Sequence, residues 1–177
     1  MQKAAAYVVT PAGPGDALDL AQVHVRAWRE TYPGMLPQTY LDRMSPQAHA
    51  ARWAWRLLHS SEVTLAAEGP DGLVGYASGD VPRLGGGVSA DAEITTLYVL
   101  RRAQRAGVGR RLLTGMARTL AAQGATSLII WVLRDNLLAR GFYEAMGGAL
   151  AGERMERVGG WSVPSVAYRW ADIGAIG

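Results

Sequence analysis

Apolar residues recur at helical spacing over residues 16–29, where Leu18, Ala21, Val25 and Trp28 share a face and Asp16 stands as N-cap. Ahead of this helix, residues 7–10 read as a short strand, broken by Pro11, Gly13, Pro14 and Gly15. Tyr32-Pro33-Gly34-Met35 is a turn, and helical patterns follow at residues 37–44 and 46–58. From residue 63 the period changes. Residues 63–68 and 73–80 read as strands joined through Pro70-Asp71-Gly72, which makes them a hairpin. Residues 83–90 carry Gly85-Gly86-Gly87 and are expected to form a flexible loop. Residues 92–99 form a third strand of this group, rich in threonine and isoleucine.

The helical period returns at residues 110–122. Leu112, Leu113, Met116 and Leu120 make one stripe there, and Gly124 stops the helix. An apolar strand over 127–133 is expected to be buried, and a helix over 136–146 ends at Gly147-Gly148. Residues 149–170 have room for two strands around Gly159-Gly160. With no repeat and no linker, residues 1–177 are expected to form a single α/β domain with a mixed sheet flanked by helices.

Composition narrows the chemistry. Hydrophobic residues make up 49% and charged residues 19%, as in an ordinary globular protein. The net charge of +3 suits a ligand carrying phosphates, but the basic residues are too scattered for nucleic acid. The absence of cysteine excludes disulfides, thiolate metal sites and a cysteine nucleophile. His24, His49 and His59 include no pair at i, i+4, so no metal is expected. Gly87-Val88-Ser89-Ala90-Asp91 lacks the second glycine of a hydrolase elbow. Neither a signal peptide nor an apolar run of about 18 residues is present, so a soluble cytoplasmic protein with no membrane partner is expected.

The chemistry concentrates in Gln104-Arg105-Ala106-Gly107-Val108-Gly109-Arg110, set between a strand and a helix. Gly107 and Gly109 let a ligand approach the backbone, and the first helical N–H groups have no intrahelical partner. With the helix dipole they make an anion site suited to a pyrophosphate, and Arg102, Arg105, Arg110 and Arg111 add positive charge. Arg110-Arg111 after Gly109 excludes a P-loop, and Leu112 stands where a dinucleotide fingerprint needs its third glycine. A plain helix-capping turn is the competing interpretation.

Gln104-x-x-Gly107-x-Gly109 resembles the Gln/Arg-x-x-Gly-x-Gly/Ala signature of the GNAT acetyltransferase superfamily. Glu93 to Val99 is similar to the strand before that signature, and Asn136-x-x-Ala139-x-x-Phe142-Tyr143-Glu144-x-Met146-Gly147-Gly148 to a later block of the family. Trp28 to Pro37 is similar to a subset of bacterial members. One departure is that Arg105 and Ala106 stand where many members carry a further glycine.

The resemblance implies a mostly antiparallel GNAT-like sheet and transfer of an acetyl group from acetyl-CoA to a primary amine by direct attack, without a metal. A noncatalytic acyl-CoA-binding module is the alternative. Gln104 to Arg110 would hold the cofactor through backbone N–H groups, and Leu97, Tyr98 and Val99 would pair with its pantetheine arm. Asn136 would contact the cofactor or fix the loop before the last helix, with Ala139 and Phe142 supporting that region. Tyr143 would protonate the leaving thiolate or pack against the core. Glu93 is the candidate base, with Asp91 in reserve; for Glu93, a solvent-facing strand position or an arginine partner is the alternative. Trp28 and Tyr32 would shape the acceptor pocket or belong to the core, and the family also implies a possible homodimer.

Overall fold

The computed structural model describes residues 7–80 and 89–177. The loop expected at 83–90 falls almost wholly outside them. One seven-stranded sheet organises the chain, with strands β1 (Val8–Pro11), β2 (Val63–Gly69), β3 (Gly72–Asp80), β4 (Ala92–Val99), β5 (Leu128–Leu133), β6 (Ala149–Val158) and β7 (Trp161–Trp170). Their spatial order is β1-β2-β3-β4-β5-β7-β6. Every neighbouring pair is antiparallel except β4 and β5. The helices are α1 (Ala17–Thr31), α2 (Gln38–Arg43), α3 (Pro46–His59), α4 (Val108–Ala122) and α5 (Leu137–Ala145). The expected elements are all present, because glycine and proline punctuate the chain where the period changes.

Helix α4 covers one face. Its stripe of Leu112, Leu113, Met116 and Leu120 is at most 2% exposed, over Ile94, Leu128 and Ile130 of the sheet. Each leucine buried this fully contributes roughly 1.5–3 kcal/mol. Helices α1 and α3 cover the other face, where Trp53 meets Tyr76 edge to face at 5.0 Å. Of the stripe expected on α1, Ala21 and Val25 are buried and Trp28 is half-buried, but Leu18 is not. Leu18 is 46% exposed, whereas Leu20, Val23 and Ala27 are buried. The helix packs against both the sheet and α3, so its buried arc is broad and centred away from Leu18. Asp16 holds the N-cap position of α1 as expected, but its carboxylate accepts from Gly13 N–H at 2.8 Å, across the 3-10 turn Pro14–Asp16, and makes no capping bond to α1.

Two irregularities in β4 open the sheet. Gly79 pairs with Ile94 and Ser78 with Thr96, so Thr95 is an extra residue that bulges from the ladder. Beside it, the parallel pairing with β5 ends at Ile94 and Ile130. Beyond that point β4 and β5 part, and the gap leads into a cavity. No helix among the described residues is long and apolar enough to cross a membrane.

Candidate active site

The cavity has a volume of about 970 Å3. One wall is β4 from Thr95 to Val99 and the other is β5 from Ile130 to Leu133. The bulge reverses side-chain parity along β4. Ile94, Leu97 and Val99 pack on the α4 side, whereas Tyr98 packs on the α1 side. Leu97, Tyr98 and Val99 therefore line the cavity with a strand edge that β5 does not pair.

The glycine-rich segment closes one end. Gln104, Arg105, Gly107, Gly109 and Arg110 line the cavity there; Ala106 and Val108 do not. Val108 is buried at 1% exposure and anchors the helix start. Gly107 takes φ +80° as N-cap of α4. The first bond of the helix runs from Arg111 N–H to Gly107 O at 3.0 Å, so the N–H groups of Val108, Gly109 and Arg110 face outward. Gln104 Nε2 donates to Val99 O at 3.0 Å and ties the loop to the edge of β4. Arg105 stands at φ +62°, the left-handed region, and is the one described non-glycine residue with positive φ. Its side chain makes no hydrogen bond or ion pair among the described residues. Arg102 reaches Leu73 O, Arg111 reaches Tyr7 O and Arg110 reaches Gly177 O, so these three cations brace the fold.

Helix α5 supplies the adjoining wall. Asn136 Oδ1 accepts from Ala139 N–H at 3.2 Å, capping the helix and fixing the loop before it. Phe142 lies against the start of α4: a Cβ built on Gly109 would stand 3.4 Å from its Cζ. Tyr143 is 4% exposed and packs on Phe142, Tyr168 and Trp170 at centroid distances of 5.3, 5.9 and 6.2 Å, yet it also lines the cavity. Burial raises the Tyr143 phenol well above its ordinary range, and the nearby Tyr32 adds to the shift.

The two carboxylates named from the sequence take different places. Glu93 is half-buried, two positions before the bulge, and is not among the residues that line the cavity. Asp91 Oδ2 accepts from the N–H and hydroxyl groups of both Thr126 and Ser127, which latches the start of β4 to the start of β5. Those bonds, from Thr126 first, hold its carboxyl below the usual range. Among the described residues no group of three or more His, Cys, Asp or Glu is placed to hold a metal ion.

The far end of the cavity is aromatic. Trp28 meets Tyr32 at 5.0 Å and 75°, and Tyr40 at 6.2 Å and 60°. The Tyr32 and Tyr98 hydroxyls share a hydrogen bond of 2.9 Å. Burial pushes Tyr32 up to about 12 and Tyr98 well above its ordinary value. Behind this wall His24 Nδ1 meets the Tyr76 hydroxyl at 2.7 Å, and burial lowers His24 to about 3, so the ring is neutral. Trp53 belongs to the core and Trp55 is 60% exposed, so neither joins the chamber. Trp28 and Tyr32 thus come together with Tyr143 and the glycine loop around one space. Sequence reasoning did not single out Tyr40, Trp131 or Glu156, which line it too.

This arrangement has known relatives. A sequence model of the acetyltransferase (GNAT) family matches residues 24–148. The uncharacterized N-acetyltransferase YuaI of Bacillus subtilis is 31% identical over 162 residues, 91% of this chain and 91% of its own. Among solved structures, a GCN5-related N-acetyltransferase from Rhodopseudomonas palustris superposes with a TM-score of 0.73 at 22% identity, over 96% of this chain and 98% of that one. The PaiA N-acetyltransferase from Thermoplasma acidophilum, in complex with coenzyme A, has a TM-score of 0.67 at 17% identity, over 93% and 99%. The chain belongs to the acetyltransferase (GNAT) family, whose members are acyl-CoA-dependent N-acetyltransferases.

Proposed function

We propose that residues 1–177 act as one acyltransferase unit that moves an acetyl group from acetyl-CoA to a primary amine, by direct attack with both substrates bound. The observation that carries this reading is that a single cavity is bounded by the glycine loop at one end and by Trp28 and Tyr32 at the other. The outward N–H groups of Val108, Gly109 and Arg110, with Arg105, Ala106 and Gly107, suit the pyrophosphate. The coenzyme A in the PaiA relative supports the same donor. The unpaired edge over Leu97, Tyr98 and Val99 suits the pantetheine amides, and one of its N–H groups polarises the thioester carbonyl. Gln104 and Asn136 hold the loops that present these groups, with Ala139 and Phe142 behind them.

The amine nitrogen attacks the carbonyl carbon and the C–S bond breaks. Glu93 takes the amine proton through water, and Tyr143 gives its phenolic proton to the thiolate. A solution amine of pKa about 10.4 is mostly protonated at neutral pH, so the base step is needed. Initial rates against acetyl-CoA and amine should give intersecting lines, with no acetylated enzyme detectable by mass spectrometry. Parallel lines with an acetyl-enzyme would overturn direct attack.

Arg105 yields a separate test. A non-glycine residue in the left-handed region costs roughly 1–2 kcal/mol, partly offset in an Arg105→Gly variant by glycine's greater unfolded-state entropy. That variant is expected to be more stable by about 0.5 kcal/mol and to bind acetyl-CoA about 10-fold more weakly, because a charge-assisted phosphate contact is lost. Denaturant melts and calorimetry read the two effects; unchanged affinity would remove Arg105 from the phosphate site.

A further inference from the structure

We propose that Glu156 seats the acceptor's ammonium group, and that the acceptor is a cationic primary amine on an aromatic body without a carboxylate of its own. This rests on the acetyltransferase reading above and adds the substrate class. Glu156 is the one carboxylate among the described residues lining the cavity, at the chamber end. Glu156 pairs across the β6–β7 hairpin with Val163, which packs in one cluster with Tyr32, Trp28, Tyr40 and Tyr98, and its charge adds to the rise that burial causes in the Tyr32 hydroxyl. These rings meet at steep angles, between 51° and 85°, so they form walls around a space instead of a closed stack. Such walls take a flat apolar body, and their faces attract a cation.

The carboxylate is held in position. Ser165, itself 1% exposed, donates to Glu156 Oε2 at 3.0 Å. Arg154 reaches Oε1 at 3.4 Å while its guanidinium rests 4.0 Å above the Trp131 ring. A carboxylate has about four acceptor sites, and these contacts take two, one of them long. The Glu156 side chain is 37% exposed, open to an incoming donor. Arg157 also lines the cavity, but its guanidinium donates to Gly160 O at 3.1 Å in the hairpin turn. Trp28 Nε1 is buried without a partner among the described residues and lines the cavity, where it can donate to an acceptor atom on the bound molecule. The neutral His24 behind Trp28 puts no cation against the chamber.

Three amines separate the possibilities: phenethylamine, phenylalanine and spermidine, each assayed for release of CoA thiol. Phenethylamine is expected to have the highest kcat/KM, at least about 10-fold above the others. Glu156→Gln should lower its kcat/KM roughly 10- to 100-fold, chiefly through KM, and Glu156→Asp should restore part of the loss. Acetyl-CoA affinity, read by calorimetry, should stay unchanged in both variants, and melting temperatures check that they fold. Preference for phenylalanine would make Arg157 a carboxylate site and overturn the proposal, and preference for spermidine would remove the aromatic body. Equal kcat/KM in wild type and Glu156→Gln would overturn the role of Glu156. Phenethylamine binding is also read directly, by tryptophan fluorescence without any CoA. If acetyl-CoA does not bind, the donor reading fails by itself, and the fluorescence titration still decides on the chamber: saturation weakened by Glu156→Gln supports it, and no saturation overturns it.

Discussion

Replacing Gly109 by glutamate is expected to weaken acetyl-CoA binding by about 1,000-fold or more while leaving the protein folded, since juxtaposed like charges cost several kcal/mol. Gly109 is the second residue of α4, where unpaired N–H groups and the helix dipole attract an anion. A carboxylate built there would take the space proposed for the pyrophosphate and add a like charge beside it. The same carboxylate suits the helix itself, because a negative side chain in the first turn stabilises it by about 0.3–1 kcal/mol. Loss of binding therefore cannot be put down to loss of fold. The Cβ is also tolerable: it would stand 3.4 Å from Phe142 Cζ, an ordinary contact. Gly109→Ala is the control for size without charge and should lose far less affinity. Calorimetry with acetyl-CoA measures both; a Gly109→Glu protein that binds as the wild type does would move the phosphate site away from α4.

The fold was legible because its punctuation is local. Gly124, Gly147-Gly148 and Gly159-Gly160 end elements at their own positions, and β4 runs over the residues expected of it. The side facing inward was harder. A single apolar stripe was expected along α1, but this helix is packed on two sides, and Leu18 faces solvent while Leu20 is enclosed. Burial there depends on α3, which no periodicity within residues 17–31 can reveal.

The site was legible where a motif spells a backbone shape and obscure where tertiary geometry makes it. Gln104 to Arg110 could be placed at the start of α4 from the glycines alone. The Thr95 bulge and the parting of β4 from β5 have no local signature, yet they create the cavity. For the same reason Glu93 and Asp91, neighbours in the chain, serve different surroundings. Asp91 is absorbed by Thr126 and Ser127, some thirty-five residues on. Glu156 escaped notice because it stands between Arg154 and Arg157 in a strand that reads as an ordinary polar edge. Only the pairing of β6 with β7, the strand that follows β5 in the sheet, brings it to the chamber.

Tyr143→Phe is expected to lower kcat by roughly 100- to 1,000-fold, the usual size of a lost general acid, with acetyl-CoA affinity unchanged. The substitution is clean. Tyr143 is held by Phe142, Tyr168 and Trp170, contacts a phenylalanine ring keeps, so the melting temperature should barely move. What disappears is a proton donor. Burial holds the phenol above its ordinary pKa, so it carries its proton throughout the neutral range, as a donor must. The same burial makes it a weak acid, weaker than an alkyl thiol (about 8.5 for cysteine), so transfer to the thiolate runs uphill unless the phenolate is relieved. Relief comes from the amine: an ammonium acceptor loses two protons on becoming the amide, one to the Glu93 water and one that balances the proton Tyr143 gives to the thiolate. Because the phenol titrates far above neutrality, an alkaline limb in kcat near pH 9 would belong to another group and should survive in Tyr143→Phe. Comparison with Tyr32→Phe, which removes a hydroxyl bonded to Tyr98 from the same chamber, separates acid catalysis from general polarity. If Tyr143→Phe keeps kcat within about 3-fold while Tyr32→Phe does not, the proton comes from the Tyr32–Tyr98 pair and Tyr143 is packing alone.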